Sequence, residues 1–267
     1  MPSEILAARA ALHFGEEPCI SGTRGSGTIF FSGCSLNCVY CQNNKISHNG
    51  YGKQISPQRL VEIFRELEAA GAHNINLVNP THYVLQIRKA LSLYKPNVPI
   101  VYNSSGYEKT ETLRALEGLV DVYLPDCKYV DRHLAASLSG APDYFEFASA
   151  AIKEMTRQTG PVFLDKEGII KRGTIVRHLV LPGHTRNSLD VLDWLATIKE
   201  QIWVSLMFQY TPCGELTDHN ELQRALTRRE CDKVWQQMNN LGIVNGYVQD
   251  RKSSGTIMIP EFDGTGL

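Results

Sequence analysis

Several features are missing from this 267-residue chain, and each absence removes a class of protein. The start, Met1-Pro2-Ser3-Glu4, has no basic segment leading into an apolar run, so it does not read as a secretory signal. No apolar stretch approaches the length of a membrane span, and no membrane partner is expected. Charge of neither sign is in excess: 27 Lys and Arg stand against 28 Asp and Glu, a formal net charge of −1. That argues against a dominant nucleic-acid surface. Tandem repeats and low-complexity segments are absent, and the 43% hydrophobic content is ordinary for a globular protein. Seven cysteines show no pairing pattern, and an odd count in a chain without an export signal is a poor disulfide framework. A reduced, cytoplasmic protein is the expectation.

What is present is concentrated in Gly33-Cys34-Ser35-Leu36-Asn37-Cys38-Val39-Tyr40-Cys41-Gln42. Three cysteines at C-x3-C-x2-C spacing follow the apolar run Thr28-Ile29-Phe30-Phe31, which Gly27 and Gly33 bound as a buried strand. The thiols therefore sit on a loop leaving a strand end. Three such thiolates can hold three irons of a cubane cluster and leave the fourth iron open to a ligand. Zinc is the rival reading, but structural zinc wants four closed ligands, usually as two pairs. No second C-x-x-C or H-x3-H pair occurs in the chain. A non-catalytic metal-binding interaction module is the corresponding alternative from another functional class.

Strand and helix patterns alternate through the chain. Ser56-Pro57 opens a helix ending at Gly71, with Ser56 as cap. Strands are expected over 74–79, 99–103, 120–126, 175–181 and 203–210, with a last one over 242–248. Helices fall between them, capped by Thr81, Asn187 and Thr227. A hairpin turning at Lys166-Glu167-Gly168 interrupts the alternation. Repeated strand–helix units with right-handed crossovers imply a parallel sheet. Six units are too few for a closed eight-stranded barrel. The expected fold is α/β, an open, partial (β/α)6 TIM-like barrel. Residues 1–26 are read as a polar N-terminal extension, 27–250 as the barrel and 251–267 as a tail.

In such barrels the site lies at the C-terminal ends of the strands. Those ends carry Asn79 and Thr81, then Asn103 and Ser104, then Asp126, Cys127 and Lys128, then Arg177 and His178, and finally Gln209 and Tyr210. Each has an ordinary reading too: Thr81 as a helix cap, Lys128 as a solvated charge, Arg177 at a strand edge, and His82 and His178 as satisfied structural histidines. Cys127 and Cys213 are candidates for a thiol hydrogen donor or a second-metal ligand, and the reading preferred for each is a small buried residue.

The cysteine loop resembles the motif of radical S-adenosylmethionine (SAM) enzymes, Cys-x3-Cys-x-aromatic-Cys, with Tyr40 at the aromatic position. The flanks, from Glu16-Glu17-Pro18 through Gly25 to Ser47 and down to Phe262-Asp263-Gly264-Thr265-Gly266, resemble the subgroup related to pyruvate formate-lyase activating enzymes. The resemblance implies a [4Fe-4S] cluster on Cys34, Cys38 and Cys41. It implies SAM bound beside Tyr40, with Arg177 as a bidentate partner for the SAM carboxylate, to which a guanidinium is suited. Asn79 and Thr81 stand where relatives carry a Gly-Gly-Glu-Pro segment that binds the SAM amino group. Asp126 and Lys128 match an Asp-x-Lys segment, whose aspartate helps bind a monovalent cation and whose lysine contacts SAM or substrate. Asn103, beside Ser104, replaces a further cation-binding aspartate, and fewer carboxylates weaken such a site. His178 completes the cofactor-binding set. The implied activity is reductive cleavage of SAM to a 5′-deoxyadenosyl radical that abstracts a substrate hydrogen. The first expected substrate is a glycine of a glycyl-radical protein; a peptide or small molecule is the alternative. A reducing partner such as flavodoxin or ferredoxin is implied.

Overall fold

The computed structural model describes residues 4–249 and 260–267. In chain order the elements are β1 (Ile5–His13), α1 (Pro18–Ser21), β2 (Ser26–Phe31), α2 (Asn44–Ser47), β3 (Lys53–Ile55), α3 (Pro57–Ala69), β4 (Ile75–Val78), α4 (Val84–Leu93) and β5 (Ile100–Ser104). There follow α5 (Thr110–Arg114), β6 (Val122–Pro125), α6 (Arg132–Ser139), α7 (Tyr144–Thr159), β7 (Phe163–Leu164), β8 (Ile170–Leu179), α8 (Thr185–Ala196), β9 (Trp203–Met207), α9 (Arg228–Asn240) and β10 (Gly246–Gln249).

The strands form one sheet in the order β10-β9-β8-β6-β5-β4-β2-β1-β3, with β7 paired to β8. From β2 to β10 every neighbouring pair on that path is parallel. Among the described residues the sheet does not close, and the expected open, TIM-like α/β barrel is what forms. Period-two alternation sorts the side chains of each strand. On β8, Val176 joins the apolar layer under the helices while Ile175 packs in a separate cluster with Val101, Val122 and Leu124. On β4 and β5, Ile75, Leu77, Ile100 and Tyr102 meet Leu60, Phe64 and Ile87 of α3 and α4.

Local signals account for several boundaries. Ser56 Oγ accepts the N–H of Arg59, with Pro57 at the first helical position. Thr227 and Glu230 form a reciprocal capping box. The hairpin turns at Gly168, whose φ is +79°. Two caps differ from expectation. Thr81 begins a short 3-10 turn, and its hydroxyl donates to Glu108 rather than to the backbone. Asn187 lies inside α8, where its amide binds the backbone of Val130 and Lys128.

The N-terminal stretch corrects the sequence reading. Rather than a polar lead-in, it contains β1, which pairs antiparallel with both β2 and β3. Its sequence is alanine-rich, weak in strand propensity, and a register shift between Ala7 and Arg9 breaks the alternation that would have betrayed it. Part of the expected tail, residues 251–259, lies outside the described residues. Residues 260–267 lie along β1: Ala10 N–H donates to Thr265 O (2.8 Å), Gly264 N–H to Ala8 O (3.1 Å), and Phe262 packs edge-on against Phe30.

The turn after β1 drives two carboxylates into the sheet's interior. Glu17, wholly buried, takes a bidentate pair from Arg177 of β8, Nε to Oε1 at 2.9 Å and Nη2 to Oε2 at 2.6 Å. Glu16 bonds the same Nη2 and accepts from Asn76 and Asn103. Burial pushes the Glu17 carboxyl up, but the Arg177 charge and hydrogen bonds more than offset it and hold the group below its usual range. Removing one partner of a buried pair strands the other charge, at a cost of about 3–5 kcal/mol. Arg177→Met, which leaves the wholly buried Glu17 carboxylate without its cation, is therefore expected to lose that much unfolding free energy in urea, and a loss below about 1 kcal/mol would refute the role given to the pair.

Candidate functional site

The cysteine loop leaves β2 through Gly33, whose φ of +89° is cheap for glycine. Two distant segments hold it. Asn37 N–H donates to Ser139 O (3.1 Å) and Val39 N–H to Leu138 O (2.9 Å), so the loop closes the C-terminal end of α6. On the other side Glu215 N–H donates to Val39 O (3.0 Å) and Cys213 Sγ lies 3.2 Å from Tyr40 O. Gly214 is needed there: a Cβ on it would come within 2.1 Å of Val39 O, and its φ is +80°.

Cys34, Cys38 and Cys41 all line one cavity of about 330 Å³, within the range of about 300–1,000 Å³ usual for ligand sites. Also on it are Tyr40, Asn79, Asn103, Ser104, Asp126, Lys128 and Arg177. Burial pushes the Cys38 thiol up to about 11 and raises Cys34 as well, so a metal held there would replace protons. Among the described residues no three His, Cys, Asp or Glu side chains converge as ligands to a single ion. The three thiols that line the cavity are nonetheless the donor type that iron–sulfur clusters take.

The strand ends supply the rest. Asn79, at the end of β4, adopts φ +58°, a conformation asparagine tolerates better than most residues. Its amide donates to Gly33 O, tying β4 to the cysteine loop, and its own N–H donates to Asn103 O (2.8 Å). Asp126 and Lys128 pair with each other. Burial alone would lower the Lys128 ammonium, but Asp126 beside it keeps it well above its ordinary value. Tyr144 of α7 fixes both strand ends: its hydroxyl reaches Ser105 O and Asp126 O and accepts the N–H of Lys128 (3.0 Å). Gly106 is pressed so closely beneath that a Cβ would lie 2.1 Å from Asp126 O.

Two residues expected at the site are elsewhere. His178 follows Arg177 on β8, and alternation turns it to the opposite face, where it is buried between Cys127 O (2.7 Å) and Ser188 Oγ (2.9 Å). Since a carbonyl only accepts, Nδ1 carries the proton. Burial pulls its pKa down to about 4. Thr81 faces Glu108 at 2.6 Å, away from the cavity. His82 is absent from the cavity wall and Cys127 is fully buried; Cys213 and Tyr210, by contrast, line the cavity. Glu16, Gln209 and Gln249 also line it, and only Gln209 was expected at a strand end. Arg177 reaches the cavity with its guanidinium already engaged by Glu16, Glu17 and, through Nη1, Asn103 Oδ1 at 3.5 Å.

A family model for the radical SAM superfamily matches residues 28–195, the span from β2 to the end of α8. The chain belongs to the radical SAM superfamily. An uncharacterised protein of Methanocaldococcus jannaschii is 32% identical over 233 residues, covering 84% of this chain and 64% of that protein, so the chain spans under two thirds of that relative. Among solved structures it is similar to methylornithine synthase (TM-score 0.53, 13% identity, 81% of this chain and 68% of that one). It is also similar to spore photoproduct lyase complexed with dinucleoside spore photoproduct (0.52, 11%, 82% and 74%). A third is Streptococcus suis SuiB bound to precursor peptide SuiA (0.51, 12%, 82% and 47%). These likenesses are of fold. Superfamily membership implies a [4Fe-4S] cluster and SAM as cofactors. Among the described residues no helix is long and apolar enough to cross a membrane.

Glu108 sits under the site with its carboxyl buried against Thr81, Tyr102 and Ser104, and burial pushes its pKa up to about 7. The unfolded carboxyl ionises near 4.5 while the native one keeps its proton to about 7, so native stability falls as pH rises between those values and levels off above. Two to three units correspond to about 3 kcal/mol. Relative to wild type, Glu108→Gln is expected to gain roughly that much between pH 4.5 and 8 in unfolding titrations. A pH-independent difference would contradict the buried protonated state.

Proposed function

We propose that Cys34, Cys38 and Cys41 are the protein ligands of the cluster and that the cavity beside them takes SAM and a second substrate. The observation that carries this reading is that three thiols and polar residues at the ends of six other strands, β4, β5, β6, β8, β9 and β10, line one cavity. When bound, the cluster supplies the electron that cleaves a carbon–sulfur bond of SAM, yielding methionine and a 5′-deoxyadenosyl radical. The chain's own residues bind, orient and exclude water. Tyr40, 8% exposed, gives an apolar wall for the nucleoside. Lys128 and the Nη1 side of Arg177 are the cationic groups facing the cavity and take the SAM carboxylate. Asn79 and Asn103 offer amide groups to the polar remainder, and Asp126 holds Lys128 in place. Gly214 and Cys213, seated on the cysteine loop, limit water access from one side.

The reaction is hydrogen-atom abstraction. Its first candidate substrate is a glycine of a glycyl-radical protein, supported by the likeness of the loop and its flanks to the activating-enzyme subgroup. A peptide or small molecule is the second reading, favoured by the extension of the cavity toward Glu16 and Gln249.

Reduced, cluster-loaded protein with SAM is expected to form 5′-deoxyadenosine, measured by chromatography. Cys38→Ala abolishes it, and Lys128→Met weakens SAM binding by about tenfold or more, as loss of a charge-assisted bond predicts. An intact cluster giving no 5′-deoxyadenosine under strong reduction would defeat the proposal. A glycyl-radical electron-spin signal on an added partner distinguishes the first substrate from the second.

A further inference from the structure

Cys38 differs from the other two motif cysteines in what touches its sulfur. Ser139 Oγ donates to Cys38 Sγ at 3.0 Å. Behind it stand Tyr129, with its hydroxyl 2.7 Å from Ser139 Oγ, and Tyr40, with its hydroxyl 2.5 Å from that of Tyr129. Ser139, Tyr129, Tyr40 and Cys38 are all less than a tenth exposed. They come from α6, the segment before it and the cysteine loop, 101 and 89 residues apart in sequence. At the other thiols the contacts are weaker or committed elsewhere. Cys34 Sγ receives the N–H of Leu36 at 3.4 Å and the Asn79 amide, which also donates to Gly33 O. Cys41 Sγ lies near Ser47 Oγ (3.2 Å), but that hydroxyl donates to Asn43 O at 3.0 Å.

We propose that Tyr40, Tyr129 and Ser139 form a hydroxyl relay ending on the Cys38 sulfur, and that this relay sets the reduction potential of the cluster held there. The proposal rests on the reading of Cys34, Cys38 and Cys41 as cluster ligands. A metal-bound thiolate can only accept, so Ser139 must donate to it. Each hydroxyl carries one proton, so Tyr129 must then donate to Ser139, and Tyr40 to Tyr129. The chain of donors has a single orientation, every O–H dipole pointing toward the sulfur, and such chains polarise cooperatively. Hydrogen bonds to cluster sulfurs draw charge from the thiolate and favour the reduced, more negative state. Burial keeps water from competing for any of the three hydroxyls. Position is secured as well. The backbone bonds from Asn37 and Val39 to Ser139 O and Leu138 O bring the last turn of α6 against the loop, so the same residue that carries the donor also holds the acceptor's loop. Ser139, Tyr129 and the hydroxyl of Tyr40 are thus positioning groups acting through Cys38.

The test uses the full chain reconstituted with iron and sulfide, without SAM, and reads the midpoint potential by electron-spin-monitored redox titration. Ser139→Ala is expected to make the cluster at least tenfold harder to reduce, a negative shift of about 60 mV for a one-electron couple. Tyr129→Phe keeps the Ser139 donor and loses its polarising partner, so it shifts in the same direction by less. Ser139→Thr, which restores a hydroxyl, returns the potential toward wild type. Unchanged potentials in Ser139→Ala and Tyr129→Phe, with iron and sulfide content equal to wild type, would overturn the relay and leave the cluster reading standing. If Ser139→Ala loses the cluster, Tyr129→Phe alone decides. Failure of the wild-type chain to assemble any cluster would overturn the ligand reading itself.

Discussion

The site depends on two backbone hydrogen bonds that join the cysteine loop to the end of α6. Asn37 and Val39 donate to the last carbonyls of a helix about a hundred residues downstream, groups that a helix end leaves without internal partners. One set of bonds therefore satisfies both the loop and the helix. It fixes Cys38 between the cavity and Ser139, and it orients Tyr40 so that its ring lies on the cavity while its hydroxyl points into the protein. The loop has little secondary structure of its own to provide this order. Its geometry comes from what it leans on: α6 on one side, the Gly214 turn on the other, and the Asn79 amide at its base.

Beneath the cavity a polar layer replaces the aliphatic filling expected of a small barrel. Glu16, Glu17, Asn76, Asn103 and Arg177 share hydrogen bonds across β4, β5, β8 and the turn after β1. Two carboxylates on one guanidinium explain why Arg177 presents only part of itself to a ligand. They also make the N-terminal strand part of the barrel's electrostatics as well as of its sheet.

Much of this was legible in the sequence. The cysteine spacing identified the cofactor class, and strand–helix alternation gave the open parallel sheet, because both are written in local patterns. The strand ends named Asn79, Asn103, Ser104, Asp126, Lys128, Arg177, Gln209 and Tyr210 of the cavity for the same reason. Two of the failures share a cause, a partner distant in the chain. Arg177 reads as a free cation until the turn after β1 places Glu16 and Glu17 against it. Thr81 reads as a cap until Glu108 appears opposite its hydroxyl. Asn79 is instructive in the other direction. Its positive φ shows an asparagine adopting the backbone conformation for which glycine is the easy choice. His178 was a failure of parity, since one step along a strand reverses the face.

That parity has a consequence for how the chain finds its fold. Arg177 and His178 are adjacent, and β8 is the strand on which β6 and β9 are assembled. A slip of one residue in β8 would thrust a guanidinium into the aliphatic layer beneath α8 and leave two buried carboxylates facing an imidazole. Hydrophobic burial alone would tolerate neighbouring registers far better, because Ile175, Val176, Leu179 and Val180 are apolar on both faces. The charged residue thus acts as a registration key, excluding misaligned sheets before the site exists.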